Sequence, residues 1–301
     1  MSVRTPWRYL LVDVDGTLLD SQGRISPRSR AVLLRAVASG VGLVLASGRT
    51  YPSLLRVTGG LGVPFHLIAN GGAAGLTPGL TAVPYLNPLP AALWPEVVEA
   101  MQSAGLSVIV FGHRHPDPPL LHIARRNLPA RRDPAASPDS SALSDSDPHF
   151  EAYVIRNALA CRHEPDLRAA SIVHPLEVAA LGRGAEFERV SARVMEGFVG
   201  RTRHHCMTLF INSDYGKITE FFHPETSKWR AFLGLFPEAA AHAERVIAVG
   251  DEANDAEMIA AAGLGIAMGN ATNELKALAD HVTLDHDHDG LAEALEPLFG
   301  A

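Results

Sequence analysis

Cysteine is scarce in this chain of 301 residues, occurring only at Cys161 and Cys206, with no Cys-x-x-Cys pair. A disulfide framework and a cysteine zinc site are therefore excluded as organising devices, and a reducing, cytoplasmic location is expected. Long basic blocks are also missing, and the formal net charge is −7. Bulk electrostatics thus argues against nucleic acid and against an anionic membrane surface as partners. No apolar run approaches the length of a transmembrane helix. Met1–Trp7 holds no apolar segment ahead of the first strand, so no secretory leader is expected. What remains is 47% hydrophobic and 20% charged, an ordinary globular composition. The length allows one large domain or two ordinary ones.

Apolar runs punctuated by turn residues give the organisation. Tyr9–Asp13 reads as a buried strand, and Ser26-Pro27 opens a helix that stops at Gly40. Val41–Ala46 and Phe65–Ala69 read as the next two strands, with a short helix between them. This alternation predicts a parallel sheet with helical crossovers. The rhythm then changes. A helix is expected at Ala91–Ala104, and strands at Leu106–Phe111, Phe150–Ile155, Ile172–Ala180, Met207–Ile211 and Ile218–Phe222. A further helix is expected at Ala185–Glu196. Gly112–His149 is polar and holds seven prolines, so it reads as loop or partly disordered. After it the parallel rhythm returns. Ser227 caps a helix to Phe236, Arg245–Val249 and Leu264–Met268 are strands, Asn254–Ala262 and Asn273–Ala279 are helices, and His281–Leu284 is a last strand. Residues 1–84 and 223–301 are thus expected to pack as one split α/β core, with 85–222 an inserted α+β domain of ordinary domain size.

Asp13-Val14-Asp15-Gly16-Thr17 carries the most information. Two carboxylates at a strand's C-terminal end sit where open α/β sheets bind ligands. In extended geometry, residues two apart point the same way. Such a pair repels without a cation between its members. One carboxylate suits a nucleophile and the other a general acid/base, with a hard metal ion neutralising both. By chance the pattern arises in about one in a few hundred chains of this length, so its company decides its meaning. Ser47-Gly48-Arg49 follows the second strand and reads either as a phosphate-oxygen cradle or as a plain strand-to-helix turn. Lys228 falls in a helix's first turn, where a cation opposes the helix dipole. It is either a solvated surface lysine or a residue with a job. Gly250-Asp251-Glu252-Ala253-Asn254-Asp255 again places acids after an apolar strand. Helix capping accounts for Asn254 and Asp255 but not for Asp251.

Together, Asp13-Val-Asp15-Gly-Thr17, Ser47-Gly-Arg49, Lys228 and Gly250-Asp251-x-x-Asn254-Asp255 resemble the four motifs of the haloacid dehalogenase superfamily of phosphohydrolases, in its Cof-like group. The resemblance spans the whole split core. It implies a Rossmann-like parallel-sheet core with an inserted α/β cap domain that selects substrate. It further implies a phosphatase acting on a small phosphorylated metabolite, such as a sugar phosphate or a phosphorylated cofactor. Asp13 would attack phosphorus and form an aspartyl-phosphate, and Asp15 would serve as acid and then base. Mg2+ would be held by the Asp13 carboxylate, the Asp15 backbone carbonyl and Asp251, with Asp255 on its waters or behind them. Ser47 and Lys228 would bind phosphate oxygens, and Asn254 would support them. Gly48, Arg49, Thr50, Asn70 and Gly71 would line the rim.

Two other readings stand beside this one: a phosphomutase on the same core, and a non-catalytic phosphate-binding or regulatory protein. Retention of all five charged and hydroxyl positions weighs against the latter. A dehalogenase is disfavoured because the acidic motifs suit metal and phosphate rather than an organic halide. Asp285-His286-Asp287-His288-Asp289 resembles a ligand set but reads better as a solvated loop before a helix. The His113-Arg114-His115 run lies at the mouth of the polar stretch, the His204-His205 pair reads as a strand flank, and the Arg125-Arg126 and Arg131-Arg132 pairs read as solvated charge or as contacts to an anionic substrate from the cap.

Overall fold

The computed structural model describes residues 7–113, 120–124, 160–211 and 214–300. The strand expected at Phe150–Ile155, Arg114, His115 and the two arginine pairs lie outside them. The chain divides into two compact units, Met1–Leu86 with Thr226–Ala301, and Asn87–Glu225.

In chain order the first unit begins with β1 (Tyr9–Asp13), α1 (Pro27–Ala38), β2 (Gly42–Ala46), α2 (Tyr51–Thr58), β3 (His66–Ala69), β4 (Ala74–Leu76) and β5 (Tyr85–Leu86). The second unit holds α3 (Trp94–Ser103), β6 (Val108–Gly112), β7 (Leu120–Ala124), β8 (Ala160–His163), β9 (Pro175–Gly182), α4 (Gly184–Glu196), β10 (Arg203–Ile211) and β11 (Asp214–Phe222). The chain returns to the first unit with α5 (Lys228–Leu235), β12 (Val246–Gly250), α6 (Ala256–Ala261), β13 (Leu264–Ala267), α7 (Asn273–Leu278), β14 (His281–Val282) and α8 (Gly290–Phe299).

The first sheet runs β14-β13-β12-β1-β2-β3-β4-β5. β1 lies between β12 and β2, parallel to both. All five of its residues are buried, as a central strand covered on both faces requires. β4 and β5 add an antiparallel edge that periodicity did not announce, because Ala74–Leu76 and Tyr85–Leu86 are too short to show a period of two. Asp13 pairs with Ala46, and Val12 with Val249. Ser47, one residue on from Ala46, and Asp251, two on from Val249, therefore emerge beside Asp13 at one edge of the sheet.

α5 is held by the core. Phe232 packs edge-on to Tyr9 at 5.3 Å and stacks with Trp229 at 5.2 Å, within a cluster that includes Leu11, Val44 and Ile68. Its N-terminus is capped by Ser227, whose hydroxyl accepts from the Arg230 N–H at 3.1 Å. Gly72 approaches that terminus so closely that a β-carbon there would collide with the Ser227 carbonyl, and its φ is +108°. Asn254–Ala262, expected as one helix, is a short 3-10 turn at Ala253–Asp255 followed by α6.

The second sheet runs β10-β11-β9-β6-β7-β8 and is antiparallel except at β7–β8. Val97, Met101, Phe187 and Val194 of α3 and α4 pack on Val110, Val178 and Phe221. β7 corrects the reading of Gly112–His149 as loop. Leu120–Ala124 pairs with β6 from Leu120↔Gly112 to Ala124↔Val108, and that partner, distant from any local signal, makes the strand. His204 and His205 lie inside β10, where His205 Nε2 meets Glu220 at 2.7 Å.

Gly72→Ala is expected to lower the unfolding free energy by about 1–3 kcal/mol, from the strained φ and the clash with Ser227. Urea unfolding measures this, and an unchanged midpoint would show that the Gly72 loop has room to give.

Candidate active site

Asp13 ends β1 with a side chain only 6% exposed, and Lys228 is 1% exposed. Lys228 is therefore no solvated surface residue. Its ammonium donates to Asp13 Oδ1 at 2.5 Å, to Asp255 Oδ1 at 2.6 Å and to Asn254 Oδ1 at 3.1 Å. This explains a cation in the first turn of α5: two buried carboxylates outweigh the opposing helix dipole. Burial disfavours the charged ammonium, but Asp13 and Asp255 more than offset it and raise its pKa. Asp13 Oδ2 accepts no hydrogen bond among the described residues.

Asp255 is fully buried and fully engaged. Besides Lys228, its Oδ2 accepts the backbone N–H groups of Asp251 and Glu252, both at 3.0 Å. It reaches back over the strand end rather than capping α6. Asp251 takes one donor on each oxygen: the Thr17 hydroxyl on Oδ1 at 2.8 Å and the Asn270 amide on Oδ2 at 3.0 Å. Gly16 permits this approach, since its φ is +80° and a β-carbon there would strike the Asp251 carboxylate. Carboxylate oxygens of Asp13, Asp251 and Asp255 lie within 4.8 Å of one another. Burial, then the neighbouring Asp255, pushes Asp251 up to about 7. Burial also raises Asp13 well above the carboxylate range, with Lys228 opposing. Three acids around one lysine, offering only oxygen, fit a hard divalent cation. Asp13 and Asp251 keep lone pairs for it; Asp255 Oδ2 is filled by two N–H donors, and its Oδ1, with Lys228 alone, keeps one.

Asp15 points elsewhere. Arg49 grips it, with Nε at 2.8 Å from Oδ2 and Nη2 at 2.6 Å from Oδ1, and the Ser47 hydroxyl donates to Oδ2 at 3.1 Å. Burial acts upward on this carboxyl, but Arg49 prevails and holds it below its ordinary value. Arg49 thus sits on Asp15, and its N–H donates to the Ser47 hydroxyl at 3.1 Å. Gly48 is exposed at the tip of this turn. Asn70 is buried with φ +47°, and its N–H donates to the Arg49 carbonyl at 2.9 Å, while Gly71 N–H donates to the Ser47 carbonyl at 3.1 Å. Asn70 and Gly71 therefore stitch the loop after β3 to the loop after β2.

A family model described as haloacid dehalogenase-like hydrolase matches residues 10–116 and 189–295. The chain belongs to the haloacid dehalogenase-like hydrolase family. A provisionally named phosphatase of Haemophilus influenzae is 27% identical over 97% of this chain and 98% of its own length. Phosphatase YwpJ of Bacillus subtilis is 24% identical over 97% of this chain and all of its own length. The crystal structure of a haloacid dehalogenase-like hydrolase from Bacteroides thetaiotaomicron superposes with a TM-score of 0.73 at 26% identity, over 97% of this chain and all of that one.

This haloacid dehalogenase-like hydrolase is thus an enzyme of the phosphatase kind. No helix among its described residues is long and apolar enough to cross a membrane. Sequence reasoning passed over two of its residues, Thr17 and Asn270. The available signal was position: Gly269-Asn270 follows β13 at the same sheet edge as Asp13 and Asp251. Asp285–Asp289 is a turn between β14 and α8. There Asp285 Oδ1 accepts the Asp287 N–H at 2.9 Å and lies 2.7 Å from His288 Nδ1, and none of its residues joins a potential metal group among the described residues.

The raised Asp251 carboxyl sets a pH dependence. Between its ordinary 3.8 and about 7, the folded state holds a proton that the unfolded chain has released. Stability from this group is therefore lost as pH rises through that window. A divalent cation competes with the proton, so its stabilising effect should grow over the same window. Thermal unfolding with and without cation should show a larger rise in Tm at about pH 8 than at about pH 5. Equal shifts at both pH values would contradict the assignment.

Proposed function

We propose that this enzyme is a Mg2+-dependent phosphatase that hydrolyses a small phosphorylated metabolite, a sugar phosphate or phosphorylated cofactor, through an aspartyl-phosphate on Asp13. The observation that carries the reading is Asp13 itself. One of its oxygens is fixed by a buried lysine, the other accepts no hydrogen bond among the described residues, and two further carboxylates lie within 4.8 Å. A nucleophile needs one free oxygen and a fixed direction, and the neighbouring carboxylates suit a cation that would offset the phosphate's charge.

Asp13 Oδ2 attacks phosphorus in line, the bond from phosphorus to the leaving oxygen breaks, and that oxygen takes a proton from Asp15. Asp15 then removes a proton from water, the water oxygen attacks phosphorus, and the Asp13 carboxylate is released with inorganic phosphate. Asp13 and Asp251 would hold the cation, with the Asp15 backbone carbonyl, and Asp255 would orient them. Bound Mg2+ supplies positive charge that offsets the charge on the phosphoryl oxygens. Lys228 keeps Asp13 aimed and neutralises part of the same charge. Arg49 holds Asp15 ionised here, so it must exchange Asp15 for a phosphate oxygen before Asp15 carries a proton. Ser47, Gly48 and Asn70 shape the loops that receive that phosphate. Substrate selection is assigned to the inserted unit, Asn87–Glu225.

Phosphate release from p-nitrophenyl phosphate and from a panel of sugar and cofactor phosphates, with Mg2+ and with EDTA, tests the proposal. Release should require Mg2+, and no release from any substrate by folded protein would overturn it. Asp13→Asn removes the nucleophile with little change in volume. It should cut kcat by about 10,000-fold or more while leaving the Tm near that of the wild type. Near-normal turnover would refute the covalent route. Asp15→Asn should slow esters with poor leaving groups by about 100- to 10,000-fold, and p-nitrophenyl phosphate less. An equal loss on both would remove the acid role from Asp15.

A further inference from the structure

We propose that Asn270 is a positioning residue that sets how tightly Asp13 and Asp251 hold their divalent cation, an inference that rests on the cation-dependent reading above. Asn270 follows β13 and lies at the surface, so replacing it removes no core packing. Its carboxamide uses both of its functions. Nδ2 donates to the Gly16 carbonyl at 2.9 Å and to Asp251 Oδ2 at 3.0 Å, and Oδ1 accepts the His286 N–H at 3.1 Å. An aspartate would lose both donations, and an apolar side chain would lose all three bonds.

The placement is what gives these bonds consequence. Thr17 holds Asp251 Oδ1 from one side, and Asn270 holds Oδ2 from the other. With both in place the carboxylate plane is fixed, and with one removed it can turn about its last torsion. The same amide nitrogen ties the loop carrying Asp15 to Asp251, the two segments that a cation between Asp13 and Asp251 must span. The His286 bond anchors Asn270 in turn. That loop is itself tied back to the segment after β1, because Asp287 Oδ1 accepts the Ser21 N–H at 2.8 Å. The Asp285–Asp289 turn thus acts as a brace. A purely structural role for Asn270 is already filled by others. Met268 N–H donates to the Gly250 carbonyl and Gly269 N–H to the Leu284 carbonyl, both at 3.0 Å, and the Lys276 ammonium donates to the Gly269 carbonyl at 2.6 Å.

Partners that orient a metal ligand typically govern about 10- to 100-fold in metal affinity. The test titrates Mg2+ against the full chain, reading the rise in Tm without substrate and, separately, turnover of p-nitrophenyl phosphate. Asn270→Ala and Asn270→Ser should each need about tenfold more Mg2+ for half-effect in both readouts. The KM for p-nitrophenyl phosphate at saturating Mg2+ should stay at its wild-type value. Lys276→Ala, which loosens the same loop without touching Asp251, should leave the Mg2+ midpoint unchanged. Folded Asn270 variants with a wild-type Mg2+ midpoint would overturn the proposal, and so would an equal shift in Lys276→Ala. A wild-type protein whose Tm ignores Mg2+ would instead overturn the cation reading beneath it, so the two failures are distinguishable.

Discussion

The ammonium of Lys228 is the constraint on which the rest of the site depends. It is buried against Asp13 and Asp255, with Asp251 close by, so three acids share one lysine. Removing such a charge from water is costly unless its partners are well placed, and a partner left alone costs more. The surrounding fold serves that placement. The Ser227 cap starts α5 one residue before the lysine, and the Tyr9–Phe232–Trp229 contacts set the helix against β1. Gly72 lets the loop after β3 touch the same helix terminus. The charges still do not cancel, so the carboxyls of Asp13 and Asp251 rise above their ordinary values. Three carboxylates against one ammonium leave the cluster a formal charge of −2, which protons or a divalent cation can offset.

The functional side chains stand on loops that follow β1, β2, β3, β12 and β13, all leaving the sheet at one edge. Parallel strands make this possible, because every strand delivers its C-terminal end to the same side. The loops are then fastened to one another. Asn70 and Gly71 bind the backbone of Ser47–Arg49, Met268 binds Gly250, and Asn270 joins Gly16, Asp251 and His286. Rigid strands give position, and these cross-links give orientation. Arg49 and Ser47 hold the Asp15 carboxylate in the same way.

Most of the first sheet was legible in the sequence because a strand buried on both faces is a continuous apolar run. Tyr9–Asp13, Gly42–Ala46 and Val246–Gly250 announce themselves in that way. The edge strands Ala74–Leu76 and Tyr85–Leu86 did not, being too short for a pattern. Leu120–Ala124 did not either, because its strand character comes from pairing with Val108–Gly112 and not from its own neighbours. The same division holds within the site. Asp13, Asp15 and Asp251 stood out because acids recur at the ends of apolar strands, where a plain Asp-Gly turn is the weaker account of the first pair and helix capping does not reach the last. Lys228 was anomalous but unplaced, and Asn270 offered only its position just after an apolar strand.

The sequence by itself determined the parallel core, the sheet edge at which acids gather, and the residue types found there. Those follow from local patterns of hydrophobicity and from acids set against turn glycines. Tertiary structure alone decided who partners whom: Lys228 with Asp13 across 215 positions, Thr17 with Asp251 across 234, and Arg49 with Asp15. It also decided that Asp255 binds the Asp251 and Glu252 N–H groups while Asp251 is held by Thr17 and Asn270. Hydrogen bonds and charge act over a few ångströms in space, and separation along the chain carries no information about that distance.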